Sequence, residues 1–353
     1  METDFRNVIG LMSGTSLDGI DLVQVQFDKN DISKFKIVHS ETISYSKNWK
    51  KTLQRAIAFT EKELIDLDLK YGKLLASKIN FFIDKHEIKS IDFVASHGHT
   101  ILHQPEKGIT LQIGNGQIIA NETSQKVVCD FRIQDVQFGG QGAPLVPIGD
   151  ELLFYQYDAC LNLGGFANVS FKEQETRVAF DICPVNIVLN HYVNKLGFEY
   201  DDKGQLASQG NVNKELLEAL NQLEFYKINH PKSLGLEWVQ STVFRIIDKY
   251  NLEIKDTLRT FVEHAAIQIS KSVGNKNNIF ITGGGVFNSF FIERLKEYST
   301  TEIIIPNSEI INYKEALIFA LLGLLRVDNQ VNCLKSVTGS IKDHSSGKIF
   351  TLK

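Results

Sequence analysis

A glycine-rich turn between two strand-like segments occurs twice in this chain and limits the folds that it can adopt. The first turn, Ser13–Gly19, separates the apolar segments Val8–Met12 and Ile20–Phe27. A third such segment, Phe35–Ile43, follows after a short polar turn. Turns of this length leave no room for a crossover helix, so the three segments are predicted to form an antiparallel meander. A similar unit begins near Ala159, and the repetition predicts two lobes of related architecture.

Helical periodicity fills most of the sequence between the other strand-like segments. The remaining predicted strands are Asp92–Ser96, Thr110–Ile113, Lys126–Cys129, Ala159–Leu163, Asn168–Phe171, Val178–Asp181, Asn278–Thr282 and Glu302–Ile305. The predicted helices are Glu61–His86, Lys214–Glu224, Leu236–Lys249, Lys255–Val273, Ser289–Tyr298 and Lys314–Arg326. This alternation indicates an α/β fold. Because 353 residues exceed what one core usually serves, we predict two domains, residues 1–140 and 141–353, joined near Gly139–Pro147. Part of the C-terminal helical region could complete the first.

The charge pattern argues against nucleic acid or a membrane as a partner. The net charge is −4 and no basic stripe occurs. The longest apolar stretch, Ile318–Leu325, is too short to span a bilayer, and the N-terminus lacks a signal-peptide pattern. Cys129, Cys160, Cys183 and Cys333 are widely spaced, which indicates reduced thiols rather than a disulfide framework or a zinc site. We expect a cytoplasmic protein, with a homodimer as the commonest default assembly.

Three glycine-rich turns at strand ends have the composition of phosphate-binding loops. They are Ser13–Gly19, Leu163–Asn168 and Thr282–Asn288, the last of which precedes a predicted helix. Glycines let the backbone approach an anion and direct N–H groups at it, and a helix N-terminus favours negative charge. Asp18 and Asp21 could order a hydrated metal ion. Each turn alone could equally be a tight hairpin or a close-packed corner. Neither a Walker P-loop nor a complete dinucleotide fingerprint occurs.

Polar residues at strand ends are candidates for catalysis. Asp181 ends a predicted strand of the second lobe, where a carboxylate could act as a general base. Asp130 and Arg132 end another strand, and the arginine could hold a sugar carboxylate with two hydrogen bonds. A strand-end salt bridge is the alternative for each. Glu315 lies in an otherwise apolar helix, so as a buried or semi-buried carboxylate it would need a substrate or an ion-pair partner.

A histidine-rich segment could bind either a metal or a substrate. His97 and His99 are expected to share one face of an extended chain, with His103 nearby. The spacing fixes no third ligand, and no carboxylate completes a known metal pattern. We therefore assign no metal-ligating residue and interpret Ser96–Thr100 as a substrate loop, in which Thr100 would recognise a hydroxyl.

Taken together, these segments resemble the anhydro-N-acetylmuramic acid kinase family. The matching stretches are IGLMSGTSLDGID, SHGHT, TLQIGNG, DFR, GGQGAPLVP, LNLGGFANVSF, AFDICPVN, HPKSLGLEW, ITGGGVFN and YKEALIFALLG. They run in order from residue 9 to about 323, and GLMSGTSLDG together with GGQGAPLVP is highly specific. The resemblance implies two ribonuclease-H-like lobes of the actin/hexokinase/Hsp70 type, with mixed β-sheets flanked by helices and ATP in the cleft between the lobes.

The resemblance also implies a reaction that uses ATP and Mg²⁺. Such enzymes open the 1,6-anhydro ring of anhydro-N-acetylmuramic acid and phosphorylate O6, which gives N-acetylmuramic acid 6-phosphate in peptidoglycan recycling. Asp181 matches the family's base, which activates water. Thr100, Arg132 and Glu315 look like sugar-contacting positions, and His97 is assigned with them. The positions implied to bind ATP are Gly14, Thr15, Ser16, Asp18, Gly19, Asp21, Gly164, Gly165, Asn168, Gly283, Gly284, Gly285 and Asn288.

Two departures from the family pattern bear on the sugar. The usual run after the catalytic aspartate is Thr-Gly-Pro-Gly-Asn, whereas Ile182–Asn186 reads ICPVN here. Val185 cannot easily adopt a positive φ, so this loop is expected to differ locally. The chain also ends in SSGKIFTLK rather than in the family's short apolar motif. The alternatives are a kinase for another amino sugar or anhydrosugar, and an actin-like nucleotide-binding module that regulates without catalysis.

Overall fold

The first of two structural units is built from both ends of the chain. The computed structural model describes residues 4–14 and 16–353. Unit 1 contains the described residues up to Phe154 together with Tyr313–Lys353, and unit 2 contains Tyr155–Asn312. This division differs from the predicted domains 1–140 and 141–353. The segment Gly139–Pro147, predicted as the junction, lies within unit 1.

The elements alternate between strands and helices along most of the chain. The strands are β1 (Phe5–Ser13), β2 (Ile20–Asp28), β3 (Phe35–Ile43), β4 (Phe93–Gln104), β5 (Ile109–Ile113), β6 (Val127–Cys129), β7 (Ala159–Leu163), β8 (Phe166–Glu173), β9 (Thr176–Pro184), β10 (Asn278–Thr282), β11 (Glu302–Ile304) and β12 (Lys348–Phe350). The α-helices are α1 (Lys47–Arg55), α2 (Glu61–Lys85), α3 (Gly116–Thr123), α4 (Ile133–Gln137), α5 (Pro147–Leu153), α6 (Asn186–Asn194), α7 (Gln205–Ser208), α8 (Lys214–Asn221), α9 (Leu236–Trp238), α10 (Phe244–Lys249), α11 (Ile254–Val273), α12 (Ser289–Tyr298), α13 (Ser308–Val327) and α14 (Lys335–Thr338).

The two units contain the same five-strand arrangement. In unit 1 the order is β6-β4-β1-β2-β3, in which β1, β2 and β3 are antiparallel neighbours and β4 and β6 run parallel to β1. In unit 2 the order β11-β10-β7-β8-β9 repeats the pattern, again with an antiparallel meander and two parallel strands. This is the ribonuclease-H-like arrangement, so the predicted fold class and both predicted meanders are confirmed.

Unit 1 adds two strands to this arrangement and receives the end of the chain. β5 pairs with β4, and β12 pairs antiparallel with β6 at the sheet edge. The strand β12 was not among the predicted strands. The pairing of β12 with β6 joins the end of the chain to unit 1. In the same unit α5 and α13 pack closely, since a Cβ added to Gly149 of α5 would lie 2.5 Å from Cγ1 of Ile318 in α13.

Helices cover both faces of the unit 1 sheet, which explains why β1 is almost continuously buried. On one face Ile9 and Leu11 pack in a cluster with Tyr71 of α2. On the other face α13 approaches so closely that a Cβ added to Gly10 would lie 2.2 Å from the carbonyl oxygen of Ala316. Only glycine fits the middle of this strand.

Predicted and observed elements agree in position more often than in length. Three predicted strands, Phe35–Ile43, Ala159–Leu163 and Asn278–Thr282, have the predicted bounds. The predicted helix Leu236–Lys249 is wrong as one regular helix, because Val239–Val243 forms a π-helical turn inside it. Several of the shorter helices, among them Lys47–Arg55 and Asn186–Asn194, were not predicted. Within the described residues, no helix is long and apolar enough to cross a membrane.

Candidate active site

The first glycine-rich turn of unit 1 leaves its backbone open at the end of β1. A Cβ added to Gly14 would meet only Oγ of Ser16, at 3.5 Å, and Ser16 and Asp18 are exposed. Leu17 closes the turn by donating its N–H to the Gly14 carbonyl at 3.3 Å. Thr15, also predicted to bind ATP, lies outside the described residues. The turn is therefore open enough for an anion to approach its backbone.

Two carboxylates lie close to the end of this turn, Asp18 within it and Asp21 at the start of β2. Oδ1 of Asp21 accepts a hydrogen bond from the Thr42 hydroxyl at 2.6 Å. Burial raises the pKa of Asp21, the Thr42 bond lowers it, and the nearby charge of Asp18 raises it again. A cation beside both carboxylates would relieve this repulsion. Gly19 has a packing role, since an added Cβ would lie 2.6 Å from Cγ2 of Thr42.

A buried polar network that was not predicted from the sequence holds Ser13, the residue at which the turn begins. Oγ of Ser13 hydrogen-bonds with the hydroxyls of Tyr45 and Tyr71, the latter at 2.8 Å, and lies 3.2 Å from Nδ1 of His99. All four side chains are buried. These residues are far apart in the sequence and form no recognisable pattern, because only the fold brings them together. They fix the last residue of β1, from which the turn begins.

His97 and Arg132 are joined by a hydrogen bond in unit 1. Nε of Arg132 donates to Nε2 of His97 at 2.9 Å, and Nη1 of Arg132 donates to the Gly142 carbonyl at 2.7 Å. His97 donates from Nδ1 to the Gly98 carbonyl at 2.9 Å, which leaves Nε2 as the acceptor. Burial, with the Arg132 charge, lowers the pKa of His97. Burial lowers the pKa of Arg132 to about 10, so the guanidinium remains charged at neutral pH.

The expectation that His97 and His99 share one face is wrong. Gly98 has φ 73, in the left-handed region, and the pairing of β4 with β1 shifts in register there. As a result the His97 ring lies 4.6 Å from the Phe319 ring of α13, whereas His99 lies against Tyr71 of α2 on the opposite face of the sheet. His103 is exposed, with Nδ1 3.2 Å from the Thr110 hydroxyl. These histidines do not form one metal centre.

The other two candidate sugar residues of unit 1 differ in exposure. Thr100 is half-buried, and its hydroxyl accepts from Nε2 of Gln112 at 3.4 Å. Glu315 is exposed, so the expectation of a buried or semi-buried carboxylate is wrong; it lies between the buried residues Lys314 and Ala316. Partial removal of the carboxylate from water, despite the exposure of the residue as a whole, raises the pKa of Glu315, and the Arg132 charge lowers it. The exposed carboxylate needs no internal partner and is free to contact a ligand.

In unit 2, Asp181 is held in place by the loop that contains Leu234. The N–H of Leu234 donates to Oδ2 of Asp181 at 2.8 Å, and the N–H of Asp181 donates to the Lys232 carbonyl at 3.1 Å. Asp181 is half-buried, and this burial raises its pKa while the Leu234 bond lowers it. The ammonium group of Lys232 lies over the Phe225 ring, 4.7 Å from the centroid, and donates to the Phe225 carbonyl at 3.3 Å.

The segment after Asp181 contributes to the core. Ile182, Cys183 and Val185 are all buried. Val185 has φ −133, so the residue that replaces a family glycine avoids the left-handed region. Its N–H donates to the Gly165 carbonyl at 2.8 Å. The altered segment is thus joined directly to the second glycine-rich turn.

The second and third glycine-rich turns combine open and close-packed glycines. Nothing lies within 4 Å of a Cβ added to Gly284, and Gly165 has only one neighbour, at 3.8 Å. Gly164 is tighter, with Nδ2 of Asn162 at 3.3 Å. Gly283 and Gly285 pack against Asn162 and Leu163, and Gly283 has φ 88. The open positions could admit a ligand, and the packed ones are explained by the fold.

The two candidate asparagines of unit 2 also differ. Asn168 is exposed on β8. Oδ1 of Asn288 accepts from the Phe291 N–H at 2.9 Å and so caps α12. The position of Asn288 after a triple-glycine turn therefore has a structural explanation whether or not a ligand is bound.

The sequence of the whole chain matches one family. The family model described as "Anhydro-N-acetylmuramic acid kinase" matches residues 6–352. A relative of that name from Shewanella denitrificans is 32% identical over 98% of each chain, and one from Haemophilus influenzae is 32% identical over 97% of each. Among solved structures, component A of (R)-2-hydroxyglutaryl-CoA dehydratase from Acidaminococcus fermentans matches 90% of this chain and 96% of its own at 14% identity with a TM-score of 0.47, too distant to support any conclusion. The match along nearly the full length establishes that this chain belongs to the anhydro-N-acetylmuramic acid kinase family.

Proposed function

We propose that this kinase uses ATP to phosphorylate O6 of anhydro-N-acetylmuramic acid while water opens the 1,6-anhydro ring. The products would be ADP and N-acetylmuramic acid 6-phosphate, as in the recycling of peptidoglycan. The observation that carries the proposal is Asp181, a half-buried carboxylate three residues before the end of β9, oriented by the Leu234 N–H and with a raised pKa. The family to which the chain belongs supplies the substrate.

The glycine-rich turns are proposed to bind the nucleotide. The backbone at Gly14, Gly165 and Gly284 is open where a Cβ would otherwise stand, which suits close approach of phosphate or adenosine. The residues proposed to take part are Gly14, Thr15, Ser16, Asp18, Gly19, Asp21, Gly164, Gly165, Asn168, Gly283, Gly284, Gly285 and Asn288. Gly19, Gly283, Gly285 and Asn288 would act by shaping the turns, since packing or capping already explains them.

The carboxylates of Asp18 and Asp21 fit a magnesium ion that is held mainly through water. Their mutual repulsion contributes to the raised pKa of Asp21, and oxygen donors suit this cation. When bound, Mg²⁺ would offset the charge of the phosphates during transfer. The protein's own part is to place one carboxylate in the turn before β2 and the other at the start of β2.

Arg132, His97, Thr100 and Glu315 are proposed to bind the sugar. Arg132 is already fixed by bonds from Nε and Nη1, so its remaining N–H groups are preorganised for the sugar's carboxylate. Thr100 and Glu315 would hydrogen-bond the sugar's polar groups. Holding the sugar rigidly orients C1 for attack, and such positioning can lower the activation free energy substantially.

Asp181 is proposed to take the proton of the attacking water. The water oxygen bonds to C1, the C1–O6 bond breaks, and O6 takes the γ-phosphoryl group as ADP leaves. The proton passes to the Asp181 carboxylate, which must be ionised beforehand. The Leu234 N–H favours that ionised form.

The test is to incubate the protein with ATP, Mg²⁺ and anhydro-N-acetylmuramic acid and to follow sugar 6-phosphate and ADP. We expect both products in equal amounts. Asp181→Asn should lower kcat by roughly 10²–10⁴-fold with ATP binding retained. As a matched control, Glu175→Gln alters an exposed carboxylate in the turn of the same β8–β9 hairpin and should leave the rate unchanged. ATP-binding protein that forms no sugar phosphate would refute the proposal.

The segment Ile182–Val185 favours a second candidate function, a kinase for another amino sugar or anhydrosugar. Its buried side chains adjoin Asp181 and are joined to the Gly165 turn. Comparing kcat/KM for anhydro-N-acetylmuramic acid and for its analogue without the lactyl group would decide between them. If neither sugar is phosphorylated, the result would favour a nucleotide-binding regulatory module without catalysis. We further propose action in the cytoplasm; a homodimer stays a prediction.

A further inference from the structure

A second cluster of reactive side chains lies in unit 1, apart from the residues assigned to ATP and sugar. Asp135, Cys333 and His344 are all buried, at 0%, 2% and 6% exposure. The ligand atoms of the three residues, one from each, all lie within 4.8 Å of one another. They come from α4 and from two points of the C-terminal segment, so no sequence spacing could reveal them.

The hydrogen bonds of His344 define which of its nitrogens faces the cluster. Nδ1 lies 3.0 Å from the Lys342 carbonyl, which can only accept, so Nδ1 carries the proton. In the neutral ring Nε2 then presents a lone pair. Among the described residues Nε2 has no hydrogen-bond partner, although it lies 3.6 Å from Oδ1 of Asp135.

In this geometry two hydrogen-bond acceptors, Nε2 of His344 and Oδ1 of Asp135, face each other. An ionised carboxylate oxygen and a bare imidazole nitrogen repel each other unless a positive charge lies between them. A metal cation bound by both atoms would remove this repulsion. Sγ of Cys333, which donates a hydrogen bond to the same Asp135 oxygen at 3.1 Å, would be the third ligand atom once its proton is lost, and thiolate, imidazole and carboxylate are all ligands of zinc.

We propose that Asp135, Cys333 and His344 bind one structural zinc ion. The carbonyl behind Nδ1 of His344 is the usual outer partner of a metal-ligating imidazole. The fourth tetrahedral position would be taken by the Thr338 hydroxyl, 2.7 Å from Oδ1 of Asp135, or by water. Binding forms a Zn–S bond and releases the Cys333 thiol proton to solvent, with no change of oxidation state. The widely spaced cysteines had argued against zinc; the fold supplies the missing ligands.

The zinc ion would fasten the C-terminal segment to the part of unit 1 that holds Arg132. Oδ2 of Asp135 accepts from the Gly142 N–H at 2.7 Å, and the Gly142 carbonyl accepts from Arg132. A ligand bond to Asp135 therefore supports Arg132 through a single residue. This role does not depend on which sugar the enzyme uses.

The test is the metal content of the full-length protein after exposure to zinc and removal of loose metal by gel filtration. We expect about one zinc ion per chain, and loss of that zinc in both Cys333→Ser and His344→Gln. Cys129→Ser is the matched control, because Cys129 is also a buried free thiol of unit 1. This variant should keep its zinc.

Cobalt substitution gives a readout that does not depend on the variants folding. The wild-type protein loaded with Co²⁺ should show the thiolate-to-cobalt charge-transfer band, and chelation should abolish the band and lower Tm. Wild-type protein that keeps no zinc, or lacks the cobalt–thiolate band, would overturn the proposal. Zinc retained in a folded Cys333→Ser variant would overturn it as well.

Discussion

The backbone N–H of Leu234 points at Oδ2 of Asp181 from a distance of 2.8 Å. The two residues are 53 positions apart, and the Lys232 carbonyl in the same loop accepts from the N–H of Asp181. The loop therefore fixes both the backbone and the carboxylate of Asp181, which lies within β9 and not at its end as predicted. A base held by a backbone donor keeps its orientation without a positively charged side chain beside it. Such a charge would strongly lower the pKa of the carboxylate.

The pH dependence of turnover should reveal the raised pKa of Asp181. Burial raises this pKa and the Leu234 bond only partly opposes the effect. Because the base must be ionised, activity should be lost as pH falls through a value above the ordinary aspartate pKa of about 3.9. The measurement is kcat/KM for the sugar against pH. An acid limb at or below the ordinary value, or one that persists unchanged in Asp181→Asn, would show that another group titrates.

Gly284→Ala should weaken ATP binding without destabilising the fold. No atom lies within 4 Å of the added methyl group, and Gly284 has no left-handed φ, so the protein accommodates the side chain. A bound nucleotide would not. We expect Kd for ATP to rise about tenfold or more, equivalent to about 1.4 kcal/mol, with Tm unchanged. Calorimetric titration and thermal unfolding measure the two quantities, and unchanged affinity would remove Gly284 from the nucleotide site.

Gly10→Ala should instead destabilise the fold and leave ATP binding unchanged. Its Cβ would lie 2.2 Å from the Ala316 carbonyl oxygen, where neither β1 nor α13 can move freely. Overpacking of this kind costs about 1–3 kcal/mol or more of unfolding free energy. Urea unfolding should show a lower midpoint, while the folded fraction keeps its affinity for ATP. A variant as stable as the wild type would mean that α13 shifts to make room.

Much of the fold follows from sequence patterns, because meander strands and long helices have strong local signals. Phe35–Ile43 and Ser289–Tyr298 have the predicted bounds. The edge strand Lys348–Phe350 was missed, since three residues have too little periodicity and form a strand only by pairing with β6. The division into units was placed differently because it depends on where α5 and α13 pack, which no linker composition marks.

The candidate site was predictable where a motif is contiguous and not where it is assembled in space. Asp181 and the open glycines come from single stretches of chain. The bonds from Arg132 to His97 and from Leu234 to Asp181, and the tyrosines behind Ser13, join distant segments. The face of His99 was predicted wrongly because the left-handed Gly98 interrupts the alternation of β4.

Arg132→Lys should impair sugar binding despite the retained charge. The guanidinium donates from Nε to His97 and from Nη1 to Gly142, and a lysine ammonium cannot make both bonds and still reach a ligand carboxylate in two places. We expect KM for the sugar to rise roughly 10–100-fold, in line with the loss of about 1.5–3 kcal/mol for a charged hydrogen bond. Arg55→Lys, an exposed arginine of the same unit, is the control and should behave as wild type. Equal KM values in the two variants would remove Arg132 from the sugar site.

His264 should make the stability of unit 2 depend on pH. It is buried, with Nδ1 2.7 Å from the Asn221 Oδ1 and Nε2 2.9 Å from the Tyr226 hydroxyl, and burial lowers its pKa to about 3. Below the unfolded pKa of about 6.5 the unfolded chain takes up a proton that the folded chain refuses, so stability falls as pH falls. The loss is about 1.4 kcal/mol per pH unit until the folded pKa is reached. Urea unfolding at pH 7 and pH 5 should therefore differ by roughly 2 kcal/mol more in the wild type than in His264→Gln. An equal pH dependence in the two proteins would mean that His264 takes up its proton equally in the folded and unfolded states.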